Sequence, residues 1–139
     1  MPLTYQKRIV RQDLRDNPEW RYVFGDNVAR MGLGGQAKEM RGEPNAIGVV
    51  TKWRPSMDDR AFFYDYQMVE VLHYLLADLQ KVHEALTEGR IVVWPEYGIG
   101  TGLSRLSKTA PNILDFIEGT RFLLENHTPK RASTPSSKG

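Results

Sequence analysis

The sequence predicts an α/β protein with a largely parallel sheet, and three observations carry this prediction. Short apolar segments rich in β-branched and aromatic residues alternate along the chain with segments of helical periodicity. The chain has 139 residues, which is the usual length of one domain. Hydrophobic residues make up 40% of it, enough to fill one core between a sheet and its helices. We therefore predict a single domain over residues 1–126.

The first half of the chain contains three predicted strands. A short strand covers residues 6–10, and residues 20–26 (WRYVFGD) form a buried strand because they are aromatic and β-branched. The glycines of the next segment, MGLGGQAKEM, break regular structure before helix formers at residues 36–40 begin a helix. Residues 45–53 form the third strand, which an Arg-Pro turn ends.

The second half begins with the clearest element, a long helix. Its apolar residues follow one another in steps of three and four, which places them on one face: Phe62, Tyr66, Val69, Leu72, Leu76, Leu79, Val82 and Leu86. Asp58 or Asp59 is the expected cap at its start, and Gly89 fits its end. A fourth strand covers residues 90–96 (RIVVWPE), and a last helix covers residues 111–125.

The composition excludes several classes of function. The chain has no cysteine, which rules out a disulfide scaffold, a cysteine-ligated zinc site and thiol chemistry. No apolar run is long enough to span a membrane and the N-terminus has no signal-peptide core. We therefore expect a cytoplasmic protein, in the host cytoplasm if a phage encodes it. The three histidines have no metal-ligand spacing, and we predict neither a metal nor a cofactor.

The net charge of +2 comes from the C-terminal tail, residues 127–139. This tail contains Lys130, Arg131 and Lys138 and no acidic residue, so removing its three charges leaves the remaining chain at −1. A body so close to neutral gives no argument for nucleic-acid binding. The tail is rich in Ser, Thr and Pro and has no apolar anchor, and we predict that it is disordered.

Two glycine clusters follow predicted strands and mark the expected ligand site. Six of the twelve glycines lie between Gly25 and Gly48, and three more are Gly98, Gly100 and Gly102. In an open α/β sheet, the loops that leave the carboxyl ends of the strands line the ligand crevice. Glycine lets backbone N–H groups approach an anion closely. Two such loops therefore favour a bound diphosphate held from both sides.

Neither cluster is a common nucleotide motif. No Gly-Lys-Ser/Thr follows either loop, so the P-loop of ATPases is absent, and MGLGGQ lacks the last glycine of the dinucleotide fingerprint. Lys52 and Arg54 stand at the end of a predicted strand and are candidates for approaching a phosphate, or are simply exposed cations. Tyr97 and Phe63 are candidates for stacking on a base, with ordinary packing as the alternative.

Three short motifs occur in an order that resembles one known family. Asn27 ends a strand, Gly32-Leu33-Gly34-Gly35 begins five residues on, Asp13 stands fourteen residues before that Asn, and Ile99-Gly100-Thr101-Gly102 follows an apolar strand. Macrodomains, which bind ADP-ribose, have motifs of these kinds in this order and at these separations. The chain resembles a divergent, phage-type macrodomain over residues 5–125. The resemblance implies a three-layer α/β/α fold with a mostly parallel mixed sheet.

The resemblance also implies roles for these residues. Asp13 would contact the adenine amino group, and the backbone amides of residues 32–35 and 98–102 would hold the phosphates. Where macrodomains have Asn-Ala-Ala-Asn, this chain has Phe-Gly-Asp-Asn, so it loses one Asn and gains Asp26. Asn27 would hold a ribose hydroxyl or a water, and Asp26 is a candidate general base for hydrolysis. The plain alternatives are a loop or N-cap residue for Asp13 and a turn or cap residue for Asp26.

Three functions stay open at this point. The first is an enzyme that binds ADP-ribose or a related nucleotide and hydrolyses an ADP-ribosyl or phosphate ester bond. The second is a binding module without turnover, for example a phage protein that sequesters a nucleotide signal against host defence. The third is a structural domain whose glycines only serve turns and which binds no ligand. The missing Asn favours the second function, and the added Asp favours the first.

Overall fold

The computed structural model describes residues 3–127, which form four strands, five helices and two short 3₁₀ turns. The elements in chain order are β1 (Leu3–Gln6), α1 (Arg11–Asp16), β2 (Arg21–Asn27), α2 (Ala37–Met40), β3 (Ala46–Lys52), α3 (Met68–Thr87), β4 (Val92–Pro95), α4 (Leu106–Thr109) and α5 (Pro111–Glu125). None of these helices is both long and apolar enough to span a membrane. Of the predicted tail, only His127 lies within the described residues.

The four strands form one parallel sheet in the order β1-β4-β2-β3. β2 lies inside the sheet, where Tyr22 pairs with Ala46 of β3 on one side and with Val93 of β4 on the other. Because helical segments connect successive strands, each strand returns to the sheet in the same direction. The predicted α/β class with a largely parallel sheet is confirmed.

Helices cover both faces of the sheet and so give three layers. On one face, α3 and α5 pack apolar residues such as Leu75 and Ile113 against the strands. On the other face, the short helices α1 and α2 contribute Leu14 and Met40. β2 is therefore buried on both sides, which explains why Tyr22, Val23 and Phe24 are consecutive apolar residues instead of alternating with polar ones.

The N-terminal region differs from the prediction. The first strand is Leu3–Gln6 instead of residues 6–10, and the helix Arg11–Asp16 was not predicted. β1 pairs only with β4 at the edge of the sheet, and of its four residues only Leu3 is buried. α1 buries only Leu14, so neither element has a hydrophobic period that could be recognised in the sequence.

The long helix begins later than its predicted apolar face. Phe62 lies in extended backbone between two 3₁₀ turns, and α3 starts only at Met68. The predicted apolar face, counted from Phe62, therefore does not coincide with the buried face in the first turns of α3. Val69 of the predicted face is exposed there, whereas Leu75, which is not on that face, is buried. From Leu79 onward the predicted face and the buried face agree.

Candidate functional site

A cavity of about 520 Å³ lies at the carboxyl edge of the sheet, between two loops. The first loop, residues 28–36, follows β2, and the second loop, residues 96–105, follows β4. The ends of β2 and β3 contribute Asp26, Asn27 and Lys52 to its lining. Its volume is within the range of small-ligand sites, and this edge of a parallel sheet is where such sites form.

Ten of the twelve predicted site residues line this cavity. They are Asp26, Asn27, Gly32, Leu33, Gly34, Gly35, Gly98, Gly100, Thr101 and Gly102. Ile99 belongs to the second loop, but its side chain is buried in the core between the sheet and α3 and α5. Asp13 is not part of the lining. Within residues 3–127 no group of three His, Asp or Glu side chains is placed to hold a metal ion.

The two loops are in contact through Gln36, a residue that the sequence did not single out. Its Oε1 accepts a hydrogen bond from the N–H of Gly25 at 2.9 Å, and its Nε2 donates to the carbonyl of Gly98 at 3.4 Å. A Cβ added at Gly34 would lie 3.2 Å from Cδ1 of Leu103. The glycine clusters that follow β2 and β4 are therefore direct neighbours around one cavity.

Most backbone N–H groups of the two loops have no acceptor among the residues that the structure describes. From Gly32 to Gln36 and from Ile99 to Ser104, no N–H donates a hydrogen bond to another described residue. Backbone N–H groups are strong donors, and because residues 32–35 and 101–103 are exposed, their N–H groups are open to water or to a ligand. Runs of such donors on neighbouring loop residues form the concave sites that bind phosphate and carboxylate oxygens. Both loops that line the cavity thus have N–H donors without an acceptor among residues 3–127.

Gly100 holds the second loop against α4. Its φ is +79°, in the left-handed region that glycine adopts without strain. A Cβ there would overlap the side chain of Leu106 and come within 2.9 Å of its Cγ. Leu106 is completely buried, and its N–H donates to the carbonyl of Gly100 at 3.0 Å. Backbone and side chain therefore meet at a point where only glycine fits.

Asp26, the candidate general base, forms ion pairs with two arginines and is only 6% exposed. Its Oδ1 accepts hydrogen bonds from the Arg41 guanidinium and, at 2.8 Å, from the N–H of Asn27. Its Oδ2 accepts from Arg30 at 3.3 Å and from Arg41 at 3.4 Å. Neither oxygen is left free to take a proton from an attacking water, so this geometry suits an anchor better than a general base.

The same side chains fix the first loop. Arg41 donates from Nε to the carbonyl of Gly32 at 2.8 Å and from Nη2 to that of Met31 at 3.2 Å. Asn27 donates from Nδ2 to the Met31 carbonyl at 2.8 Å, and its Oδ1 accepts from the Met31 N–H at 3.4 Å. The two residues predicted as catalytic, Asp26 and Asn27, therefore position the backbone of the loop that lines the cavity.

Gly48 of β3 makes room for Asp26. A Cβ at Gly48 would overlap the Asp26 carboxylate and lie 2.9 Å from its Cβ. The Gly48 carbonyl accepts from Arg30 at 3.3 Å, and Arg30 also donates to Asp78 of α3 at 2.7 Å. Asp78 accepts the N–H of Val50 at 3.0 Å. This network therefore runs from the cavity to the edge strand of the sheet.

Asp13 caps α1 instead of facing the cavity. Its Oδ2 accepts the N–H of Val10 at 2.9 Å and the side-chain amide of Gln6 at 2.8 Å. The N–H of Asp13 in turn bonds to the Val10 carbonyl at 2.9 Å, so the carboxylate closes the first turn of the helix. Asp13 is thus the third residue of α1, whose N-cap is Val10, and it is neither the N-cap nor the loop residue of its alternative interpretation. We leave Asp13 out of the candidate site.

Lys52 is the strand-end cation that the structure brings to the cavity, whereas Arg54 does not line it. Lys52 is the last residue of β3 and is 7% exposed. Burial, and after it the nearby charge of Arg105, lowers the pKa of the Lys52 ammonium. The sequence signal for Lys52 was a lysine at the end of an apolar strand, and this pattern is too common to identify a binding residue.

Exposed apolar side chains surround the cavity. Five of them line it, each between 49% and 66% exposed: Met31, Leu33, Met57, Tyr97 and Leu103. Exposed apolar groups concentrated around one concave site commonly contact the apolar part of a ligand. Tyr97 was a sequence candidate for stacking on a base, whereas the other candidate, Phe63, is fully buried in the core.

Comparison with known proteins gives a family but no activity. The profile of a family of unknown function (DUF7831) matches residues 4–120. A search of the curated proteins found no match. A search of the solved structures also found none. The matched segment includes all of β1 except Leu3, both loops, every residue that lines the cavity and most of α5.

Proposed function

Because the chain belongs to this family of unknown function (DUF7831), we propose its function from the site itself. The cavity binds a phosphate-bearing nucleotide, of which ADP-ribose is the first candidate, with the phosphates between the two loops. ADP-ribose is the ligand that the macrodomain resemblance implies. The one observation that carries the proposal is the pair of loops with unpaired N–H groups around a single cavity.

Charge and surface chemistry support a nucleotide over a bare inorganic anion. Arg41 and Lys52 add positive charge to the lining, and only one carboxylate, Asp26, opposes them. The apolar side chains around the cavity would contact a part of the ligand that is not charged, such as a base. A ligand with phosphates and a planar apolar group satisfies both features.

Binding without turnover is the form of this proposal that the site supports best. Both oxygens of Asp26 are engaged by arginines, and the side-chain amide of Asn27 is engaged by Met31. Neither side chain is therefore placed as a free catalytic group. Hydrolysis of an ADP-ribosyl or phosphate ester bond stays the second candidate, because a bound nucleotide would lie beside both residues.

Calorimetric titration with ADP-ribose, ADP, pyrophosphate and adenosine tests the proposal. We expect ADP-ribose and ADP to bind at least about tenfold more tightly than adenosine, because adenosine offers no anion to the N–H groups. Chromatography of the mixture after incubation then shows whether any nucleotide is converted. Absence of heat with all three phosphate compounds, or equal binding of adenosine, would refute phosphate recognition by this cavity.

Gly32→Ala and Gly42→Ala form a matched pair for locating the site. Gly32 and Gly42 have φ values of +93° and +94°, so alanine is about equally strained at both. At Gly32 the new Cβ would come within 2.7 Å of Cβ of Pro55, whereas at Gly42 it meets nothing within 4 Å. We expect Gly32→Ala to weaken ADP-ribose binding by about tenfold or more, since the first loop must move. Gly42→Ala should bind ADP-ribose with the wild-type affinity. Equal affinities of the two variants would contradict a role of the first loop in ligand binding.

A further inference from the structure

Lys52 is a buried cation without an anionic partner in the described part of the chain. Within residues 3–127 its ammonium forms no ion pair, and its neighbours are Sδ of Met57 at 3.8 Å and the ring of Phe62, whose centre is 4.7 Å away. Burying an unpaired ammonium disfavours the folded state, and methionine or leucine would fill the same space without that penalty. The position of Lys52 at a cavity therefore calls for an anion that arrives from outside.

A second cation lies close to the first. The guanidinium of Arg105 is 5.7 Å from the centre of the same Phe62 ring, and Arg105 also forms no ion pair among the described residues. By contrast, Arg30 and Arg41 are neutralised by Asp26 and Asp78. Arg105 lies outside the cavity lining, but, after burial, its charge also lowers the pKa of the Lys52 ammonium, so the two cations are near enough to repel one another.

We propose that Lys52 and Arg105 form a subsite for a terminal phosphomonoester of the bound ligand. This inference rests on the proposed function and adds to it the class of nucleotide that is preferred. A terminal phosphate carries a charge of about −1.5 to −2 at neutral pH, which matches two cations. A diphosphate whose ends are both esterified carries only one negative charge on each phosphate. Nucleotides that end in a free phosphate are therefore preferred over those in which every phosphate links two groups.

ADP and ADP-ribose are the matched probes for this subsite. They share the adenosine diphosphate group, and only ADP has a free terminal phosphate. We expect the wild type to bind ADP more tightly, and Lys52→Met to weaken ADP binding about 30- to 100-fold, the loss typical of a charge-assisted contact. ADP-ribose binding should change less than about threefold. Lys52→Arg keeps the charge and should restore ADP binding to within about fivefold of the wild type.

The pH dependence separates a lost charge from a disturbed fold. Anion binding needs the protonated ammonium, and the pKa of Lys52 is already lowered. ADP affinity of the wild type should therefore fall from pH 7.5 to 9.5, while Lys52→Arg stays level because guanidinium remains charged. The other ionisable groups on the lining are Asp26, Arg41 and Tyr97, and all three are unchanged in this variant.

Arg105→Gln should lose part of the preference for ADP over ADP-ribose.

Stability gives an independent readout of the same inference. Lys52→Met removes an unpaired buried charge and leaves an apolar side chain beside Met57 and Phe62, so we expect its thermal midpoint to rise. Equal losses of ADP and ADP-ribose affinity, or no loss with ADP, would overturn the subsite while leaving nucleotide binding intact. If the wild type binds neither nucleotide, the proposed function itself fails, and the subsite fails with it.

Discussion

Gly100→Ala will lower the free energy of unfolding by about 3 kcal/mol and abolish nucleotide binding. Alanine at φ +79° costs about 1–2 kcal/mol because its Cβ crowds the following carbonyl. The overlap with Leu106 adds about 1–3 kcal/mol, since that side chain is fully buried and must shift within the core. Urea unfolding measures the stability, and calorimetric titration with ADP-ribose measures the binding.

Gly102→Ala is the matched control for this change, two residues along the same loop. A Cβ at Gly102 would meet no heavy atom within 4 Å, and the backbone there is not in the left-handed region. We expect its free energy of unfolding to stay within about 0.5 kcal/mol of the wild type, as for most surface changes. If Gly100→Ala unfolds at the wild-type urea concentration, the second loop does not have the geometry described above.

Asp26→Asn will destabilise the protein by about 3 kcal/mol. Removing the carboxylate leaves Arg30 and Arg41 facing each other without their shared counter-ion, and breaking a buried ion pair typically costs 3–5 kcal/mol. We expect the lower end of this energy range because the side chains of Arg30 and Arg41 are 40% and 20% exposed, so water partly solvates them once the carboxylate is gone. Urea unfolding checks the size of the effect.

This variant also distinguishes an anchor from a catalytic base. An anchor predicts loss of stability together with weaker binding of ADP-ribose, because Arg41 no longer fixes the carbonyl of Gly32. A general base predicts a folded protein with normal binding and no turnover. Glu19→Gln serves as the control, since it removes a carboxylate whose ion pair with Arg90 is exposed, and we expect no measurable change.

The sequence predicted the parts of the fold that long apolar patterns determine. The strands β2, β3 and β4 and the helices α3 and α5 bury many side chains, and their runs and periods are visible in the chain. The position of both glycine clusters at one edge of the sheet followed from parallel strands alone. α1 was missed because six residues with one buried leucine leave no pattern.

The side-chain network around the cavity could not be predicted, because its partners are distant in sequence. Asp26 meets Arg41 fifteen residues later, and Arg30 meets Asp78 forty-eight residues later. From the sequence alone, an aspartate at a strand end is interpreted as a general base or a turn residue. Its role as an anchor becomes visible only when the structure shows the two arginines beside it. The proposed role of Lys52 depends equally on the absence of a carboxylate near it among residues 3–127, which only three-dimensional structure reveals. The cytoplasmic location stays a prediction.

Amide chemical shifts followed during a titration of the ¹⁵N-labelled protein with ADP-ribose address the central proposal most directly. If the two loops hold the phosphates, the largest shifts will fall on the N–H groups from Gly32 to Gln36 and from Ile99 to Ser104, and both groups will saturate together. Shifts confined to one loop, or centred away from the cavity while both loops stay unchanged, would contradict a ligand held between them.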